Sequence, residues 1–280
     1  MKQKLLFLAV SLLFLTGVGL VLYPVVSDWY IGRHQASVVA SYDEEAARLS
    51  QEQIETELAR AHAYNDSLLG NVVLTDPFDA DGLAEQNTEY DDLLNINGDG
   101  VMGSIDIPRV DIYLPIYHTT DAEVLAKGAG HLKNSSLPVG GIGTHAIISG
   151  HTALPSAELF NNLSDVEKGD VFYIHVLNET LAYEVDQIKV VLPDNIEDLL
   201  IDRNEDYVTL VTCTPYGINS HRLLVRGRRI PYEEAEAITP IQQVEEGFRY
   251  KSAYVAAGVV AGAILLAVIL SAIIKRRKQK

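Results

Sequence analysis

Two apolar segments lie near the ends of this chain of 280 residues, at positions 5–26 and 253–274. Each has the length of about 20 residues that an α-helix needs to cross a bilayer. Basic residues flank both, Lys2 and Lys4 on one side and the run 275–280 on the other. Because Lys and Arg collect on the cytoplasmic side, the pattern predicts a two-pass membrane protein with both termini cytoplasmic.

This layout divides the chain into predicted regions. We expect cytoplasmic tails at 1–4 and 275–280, transmembrane helices at 5–26 and 253–274, and an extracellular part between them. The first apolar segment has an alternative reading as a cleaved signal peptide, but it is longer than a usual signal core and no small-x-small site follows closely. Within the extracellular part we predict a helical preamble at 27–70, a linker at 71–100, a β-domain at 101–232 and a juxtamembrane linker at 233–252.

The charge distribution excludes some partners. The formal net charge is −16, although the two tails hold seven Lys and Arg and no acid. The middle of the chain is therefore strongly acidic, which argues against nucleic-acid binding and against adhesion to anionic lipid.

The middle of the chain reads as helix followed by strands. Residues 35–63 have helix-forming composition, and short crossover helices are predicted at 122–127 and 157–163. Strand patterns occupy 103–117 (broken by Pro108), 146–148, 171–176, 181–185, 188–192, 207–211 and 222–226. The turn at 177–179 indicates a hairpin. Six to eight short strands predict a mainly β fold, a sandwich or a barrel.

Residues 71–100 are polar and rich in turn-forming residues, and a segment of this kind is usually functional or disordered. The run from Asn95 to Asp106 partly imitates a calcium-binding EF-hand loop. Asp stands where the bidentate Glu belongs, and no flanking helix pair is evident. We therefore predict no metal.

Cys213 is the only cysteine, and it ends the apolar run 207–213. A lone thiol forms no intrachain disulfide, so it is either a buried filler or a nucleophile. Arg222 opens the next predicted strand. It is either a solvated edge residue or a stabiliser of a developing oxyanion, and Arg226, Arg228 and Arg229 are nearby alternatives.

A nucleophilic thiol needs a base nearby. His151 follows the predicted strand 146–148, at a strand end where catalytic groups tend to lie. Chemistry alone leaves His131, His145 and His221 open as alternatives. The remaining four histidines, in the preamble or beside strands, suit packing roles: His34, His62, His118 and His175.

The run Thr209-Leu210-Val211-Thr212-Cys213 resembles the TLxTC signature of sortases, the cysteine transpeptidases of Gram-positive cell surfaces. Its continuation through residues 214–227 is similar to class C, the pilus-assembling branch, and Ser149-Gly150-His151-Thr152 fits the histidine segment. The resemblance covers about residues 35–232. It implies a closed β-barrel of about eight strands, with Cys213 as nucleophile, His151 as proton-transfer partner and Arg222 as oxyanion or substrate stabiliser.

The resemblance also implies a reaction. An LPxTG-like sorting signal is cleaved between Thr and Gly through a thioacyl-enzyme, and in class C a lysine of another pilin subunit resolves it. No cofactor is needed, because the thioester retains the energy of the broken peptide bond. The implied partners are pilin subunits with C-terminal sorting signals, the acceptor lysine and the lipid bilayer, and the implied location is the Gram-positive cell membrane.

The resemblance to class C also implies a lid, because class C enzymes carry one whose Asp-Pro-Phe or Asp-Pro-Trp motif plugs the site, and Asp76-Pro77-Phe78 matches that motif. We expect Asp76 to pair with Arg222 and the Phe78 ring to cover the Cys213 sulfur. The alternative is an ordinary Asp-Pro turn. Three other functions stay open: a sortase that anchors proteins to the cell wall, a simple cysteine protease, and a non-catalytic, membrane-tethered binding module.

Overall fold

The computed structural model describes residues 2–69, 74–79, 88–154, 157 and 159–238, together with Gly258 and Gly262. The chain divides into two compact units, Met1–Ile241 and Gln242–Lys280. The description below concerns the first unit. The predicted second transmembrane helix and the basic tail lie outside the described residues, apart from the two glycines.

Eight strands make up the sheet in the described part of the chain. They are β1 (Val101–Ile107), β2 (Ile112–His118), β3 (Ala129–His131), β4 (Thr144–Ser149), β5 (Val171–Val176), β6 (Glu179–Val191), β7 (Asp206–Thr214) and β8 (His221–Ile230). They close into a barrel in the order β1-β2-β3-β4-β7-β8-β6-β5. The prediction of a mainly β fold, and the closed barrel that the resemblance implies, are confirmed.

Two of the strand pairs are parallel. β2 pairs with β3 and β4 pairs with β7 in parallel, whereas the other neighbours are antiparallel. Parallel pairing places the carboxyl ends of two strands at the same edge of a sheet. In this barrel β4 and β7 therefore both end at the edge where the predicted site residues follow.

Helices surround the barrel. They are α1 (Lys2–Ala46), α2 (Gln51–Ser67), α3 (Thr88–Asp92), α4 (Ala122–Leu125) and α5 (Tyr232–Ile238). The predicted helical stretch 35–63 is thus divided, because Ser50 and Gln53 form a capping box that begins α2. Tyr42 of α1 donates to the carbonyl of Met102 in β1 at 2.9 Å, which holds α1 against the barrel.

The barrel interior is filled by alternating side chains of the strands. Its main cluster includes Ile105, Ile148, Phe172 and Val225, all fully buried. Gly227 is required by this packing, since an added Cβ would lie 2.4 Å from Cε1 of Phe172. A separate apolar cluster lies under residues 74–78 and takes part in the candidate site.

Several sequence predictions need correction. Residues 157–163 form no α-helix where described, and a 3₁₀ turn begins at Leu163 and ends at Asp165. The predicted strand 188–192 is the end of β6, because a bulge at Val185–Gln187 interrupts the apolar pattern without ending the strand. β3 was missed, since three residues show no periodicity, and α3 and α5 were missed as short polar helices.

Among the described residues, no helix combines the length and the apolar character that a membrane crossing requires.

Candidate active site

Cys213 and Arg222 face each other across two antiparallel strands. Cys213 of β7 is the register partner of Arg222 of β8, one pair from the end of the ladder. Both residues are largely buried, with 8% and 9% of their surface exposed. The barrel thus holds a permanent cation beside the only thiol of the chain.

His151 lies at the same edge of the barrel. In the parallel pair of β4 and β7, Ser149 is the register partner of Val211, and two residues further along the two strands come His151 and Cys213. The backbone N–H of Gly150 still donates to the carbonyl of Val211 at 3.1 Å, so the chains remain adjacent there. The structure therefore brings His151, Cys213 and Arg222 together from three neighbouring strands.

Close packing fixes the bend that carries His151. An added Cβ at Gly150 would lie 2.7 Å from Cγ of Phe160, so the backbone passes directly over that ring. Phe160 N–H donates to the His151 carbonyl at 3.0 Å, and Ala153 N–H donates to Oδ1 of Asn161 at 2.7 Å. The residue before His151 must consequently be glycine.

Residues 74–79 cover this edge. Arg222 Nε donates to Asp76 Oδ1 at 2.8 Å, and Arg222 Nη2 donates to the second oxygen of the same carboxylate. The Phe78 ring lies between the two other groups, with its centroid 5.4 Å from the His151 ring and 5.0 Å from Cζ of Arg222. The expected pairing of Asp76 with Arg222 is present, and Phe78 contacts the histidine and the arginine.

Leu74 anchors the start of this segment. It is 6% exposed and packs in the second apolar cluster with Leu132, Ile147, Val211 and Leu224. Its partners come from β4, β7 and β8 and from the residue after β3. Sequence reasoning missed Leu74, because one apolar residue in a polar segment carries no periodic signal.

The electrostatics favour a neutral thiol while residues 74–79 are in place. Burial raises the pKa of Cys213, the positive charge of Arg222 lowers it, and the negative charge of Asp76 raises it again. Burial also lowers the pKa of His151. Both shifts favour an uncharged thiol beside an uncharged imidazole.

The alternative histidines occupy other positions. His145 and His131 are completely buried, hydrogen-bonded at both ring nitrogens, and desolvation lowers the pKa of each to about 4. His118 bonds the carbonyls of Gly100 and Leu93. His221 opens β8 opposite Thr214 and bonds Oγ of Ser220. These contacts are structural ones, and His34, His62 and His175 belong to other parts of the molecule.

The alternative arginines are engaged elsewhere as well. Arg226 forms a bidentate pair with Asp186 and lies over the Tyr207 ring. Arg229 lies over Tyr183, near the start of β7, and Arg228 is exposed. Arg222 is the member of this set that lies beside the thiol.

In the run that imitates a calcium loop, side-chain oxygens accept hydrogen bonds from backbone N–H groups of the same run. Asn95 Oδ1 accepts from the Gly100 N–H, and Asp99 Oδ1 accepts from the Val101 N–H. No group of three or more His, Cys, Asp or Glu in the described ranges is arranged to hold a metal ion.

Comparison with known proteins identifies the family. A model of the sortase domain matches residues 105–230. Sortase C-1 of Streptococcus pneumoniae superimposes with a TM-score of 0.66 at 48% identity, over 70% of this chain and 99% of that one. The chain belongs to the sortase family. Sortases are cysteine transpeptidases, and Cys213, His151 and Arg222 all lie in or beside strands of the matched sortase domain.

Two further comparisons concern the branch of the family. The pilus-related sortase C of Group B Streptococcus has a TM-score of 0.62 at 47% identity, covering 69% of this chain and 96% of that one. Among curated sortases, Sortase A of Bacillus anthracis is 32% identical over 127 residues, and Sortase D of Bacillus subtilis is 29% identical over 131. These alignments cover 45% and 46% of this chain and span only 59% and 63% of the two relatives.

Proposed function

We propose that this sortase is a class C enzyme that joins pilin subunits into pili. The observation that carries the proposal is the edge of the barrel where Cys213, His151 and Arg222 meet under residues 74–79. That arrangement supplies a nucleophile, a proton carrier and an oxyanion partner. The Group B Streptococcus neighbour, itself described as pilus-related, supports the same branch.

The proposed chemistry has two acyl transfers. The Cys213 thiol passes its proton to His151, and the resulting thiolate attacks the carbonyl carbon of Thr in an LPxTG-like sorting signal while the guanidinium of Arg222 stabilises the oxyanion. The Thr–Gly C–N bond then breaks, and His151 gives a proton to the leaving amine. A lysine amine of another pilin next attacks the thioester, the C–S bond breaks, and the thiolate returns while the amine proton passes to His151.

We further propose that residues 74–79 form a lid that inhibits the closed enzyme. Asp76 binds the Arg222 guanidinium that would otherwise stabilise the oxyanion, and the Phe78 ring packs against His151, the proposed base. Asp76 also raises the pKa of Cys213, so it holds the nucleophile in its less reactive form. A sorting signal enters only after Asp76, Pro77 and Phe78 have moved away.

Membrane anchoring completes the proposal. The apolar segments 5–26 and 253–274 and their basic flanks support a two-pass enzyme with its catalytic domain outside the Gram-positive membrane. Sorting-signal substrates are held in the same bilayer during export, so anchoring raises their effective concentration at the enzyme.

A cell-wall anchoring sortase is the second candidate, and the curated relatives named Sortase A favour it. The two candidates differ in the acceptor amine. A wall-anchoring enzyme passes the acyl group to a peptidoglycan cross-bridge, and a pilus enzyme passes it to a pilin lysine. The bidentate contact of Asp76 with Arg222 favours the pilus branch, to which the resemblance assigns the lid.

The test is mass spectrometry of the full-length protein mixed with an LPxTG peptide, with and without a lysine-bearing acceptor peptide. Cys213→Ala serves as the negative control, and Asp76→Asn as the lid-opened form. An adduct on Cys213 that passes to the lysine is the expected result. If neither native nor lid-opened protein forms an adduct, the proposed substrate is wrong. An adduct that passes only to a cross-bridge peptide identifies the wall-anchoring enzyme.

A further inference from the structure

The main-chain ladder between β4 and β7 ends just before the two catalytic side chains. The Gly150 N–H donates to the Val211 carbonyl at 3.1 Å, and beyond that bond two threonine hydroxyls continue the pairing. Thr212 Oγ1 donates to the Gly150 carbonyl at 2.6 Å. Thr152 Oγ1 donates to the Cys213 carbonyl at 2.9 Å.

These two bonds are reciprocal. Thr212, the residue before Cys213, donates to the carbonyl of Gly150, the residue before His151. Thr152, the residue after His151, donates to the carbonyl of Cys213. Thr212 is only 2% exposed, so water does not readily replace its hydroxyl. The two bonds join residues that are 62 and 61 positions apart in the sequence, and they connect the backbone around His151 directly to the backbone around Cys213.

The imidazole has no comparable support among the residues that the structure describes. None of them is hydrogen-bonded to a ring nitrogen of His151, and the ring packs against Phe78. That contact is lost when residues 74–79 move away. Catalytic histidines are usually held by a third polar group. Here the orientation must come from the backbone that carries the ring.

We propose that Thr152 and Thr212 are positioning residues, whose crossed hydroxyl bonds set the distance and angle of His151 relative to Cys213 in the lid-opened enzyme. The inference rests on the proposed function of these two residues and adds to it the groups that align them. Neither threonine touches the substrate or the reacting atoms in this role. Both act through the backbone of the residues that do.

The chemistry of the side chain allows a sharp test. Thr→Val keeps the branched shape and removes the hydroxyl, whereas Thr→Ser keeps the hydroxyl. Thr209→Val is the matched control, because Thr209 lies on the same strand, is fully buried, and has its hydroxyl bonded to His145 rather than to the His151 bend. All variants are made in the full-length protein, with the native lid and with Asp76→Asn.

Two measurements are made on each variant. The first is steady-state transfer of the acyl group from an LPxTG peptide to a lysine-bearing acceptor, separated into kcat and KM. The second is the rate of Cys213 alkylation by iodoacetamide as a function of pH, which reports the coupled titration of the Cys–His pair and needs no substrate. Thermal unfolding of each variant shows whether it is folded at the assay temperature.

We expect Thr152→Val and Thr212→Val to lower kcat about 10- to 100-fold with little change in KM, as displacements of catalytic groups by an ångström do. Their alkylation profiles shift away from that of the wild type. The serine variants restore both readouts, and Thr209→Val leaves both near wild type. The double valine variant loses little more than either single one, because the two bonds act on one alignment.

Valine variants that keep the wild-type kcat and the wild-type alkylation profile would overturn the inference. So would serine variants as slow as the valine ones, since the hydroxyl would then not be the cause. If the wild type forms no acyl-enzyme at all, the proposed function fails. In that event the alkylation profiles alone decide whether the threonines align the pair.

Discussion

Arg222 donates two hydrogen bonds to the carboxylate of Asp76, and the same guanidinium lies beside Cys213 in the next strand. The same cation can therefore pair with the Asp76 carboxylate or, once it forms, with the Cys213 thiolate. While Asp76 holds the guanidinium, Arg222 is less available to a reaction intermediate. With residues 74–79 in this position, the edge that carries Cys213 is covered and its cation is engaged by a carboxylate.

Asp76→Asn is expected to speed alkylation of Cys213 at neutral pH and to shift its pH profile toward lower pH. The change removes the charge that raises the pKa of Cys213, and each pKa unit is worth about a factor of ten in thiolate at a pH below the pKa. Iodoacetamide kinetics measure it. Asp186→Asn, which breaks a similar bidentate pair with Arg226, is the control and should change nothing at Cys213. Equal rates for both variants would contradict the lid.

Arg222→Lys should have opposite effects on two readouts. Lysine keeps the charge but loses the planar fork, so the bidentate contact with Asp76 is lost and alkylation becomes faster. Acyl transfer from a sorting peptide to Cys213 becomes slower, by about 100-fold or more, because a preorganised oxyanion donor is gone. Arg226→Lys is the matched control. If the alkylation rate and the acyl-transfer rate changed in the same direction, a single role for Arg222 would explain both results.

His151→Gln and His145→Gln should separate catalysis from packing. The first is expected to leave the unfolding temperature near wild type and to lower acyl-enzyme formation about 100- to 10,000-fold, the usual effect of removing a general acid–base. The second leaves the buried partners of His145 unsatisfied and should destabilise the fold by about 1–3 kcal/mol while the chemistry persists. Mass spectrometry and thermal unfolding provide the two readouts. The reverse pattern would move the catalytic role to His145.

Asp106 is expected to make the fold less stable as the pH rises. Burial, with the charge of Asp111, raises the pKa of this carboxyl from 3.8 to about 7. The folded state therefore binds more protons than the unfolded state between these values, and the stability present below pH 3.8 is lost as the pH rises through about 7. The penalty at pH 8 is on the order of 4 kcal/mol.

The measurement for Asp106 is urea unfolding at pH 5 and pH 8. Asp106→Asn should be more stable than wild type at pH 8 and should lose most of the pH dependence. Asp165→Asn, at an exposed position, controls for the loss of a carboxylate. A wild type equally stable at both pH values would show that Asp106 is not responsible for a pH effect.

Gly150→Ala should damage both stability and activity. The new methyl group would meet the Phe160 ring at 2.7 Å, and overpacking of this kind costs about 1–3 kcal/mol. Because the bend also carries His151, acyl-enzyme formation should fall. Phe160→Leu in the same chain makes room, so the double variant should recover part of the activity. No recovery would indicate that the backbone conformation at Gly150, rather than the ring, is limiting.

The sequence predicted the features that depend on neighbouring residues. β5, its hairpin to β6, and β7 appear as apolar or alternating runs, and Cys213 at the end of β7 was evident from the same run. Side-chain chemistry alone did not separate His151 from His145, and the choice of His151 came from the family resemblance. His145 lies in β4 with both ring nitrogens hydrogen-bonded. The parallel register of β4 with β7 places it six residues before the end of the pair where Cys213 lies, so its ring does not reach the thiol.

Other features could not be predicted because their causes are tertiary. β3 exists only because β2 and β4 offer it hydrogen-bond partners on both sides. Leu74 is buried by side chains from several strands, and Thr152 finds the Cys213 carbonyl across 61 positions. The pattern predicts a separate strand at 188–192, because the bulge in β6 interrupts the alternation of apolar and polar residues although the strand continues.

The parallel contact between β4 and β7 has a consequence for the order of folding. The two strands start 62 positions apart, and they become neighbours only when the intervening hairpin of β5 and β6 has been accommodated. Non-local pairing of this kind forms late and slowly. Partly folded chains then carry a free thiol without its histidine. Reactivity toward sorting peptides should therefore appear only when β4 and β7 have paired, which makes it a kinetic marker of that contact.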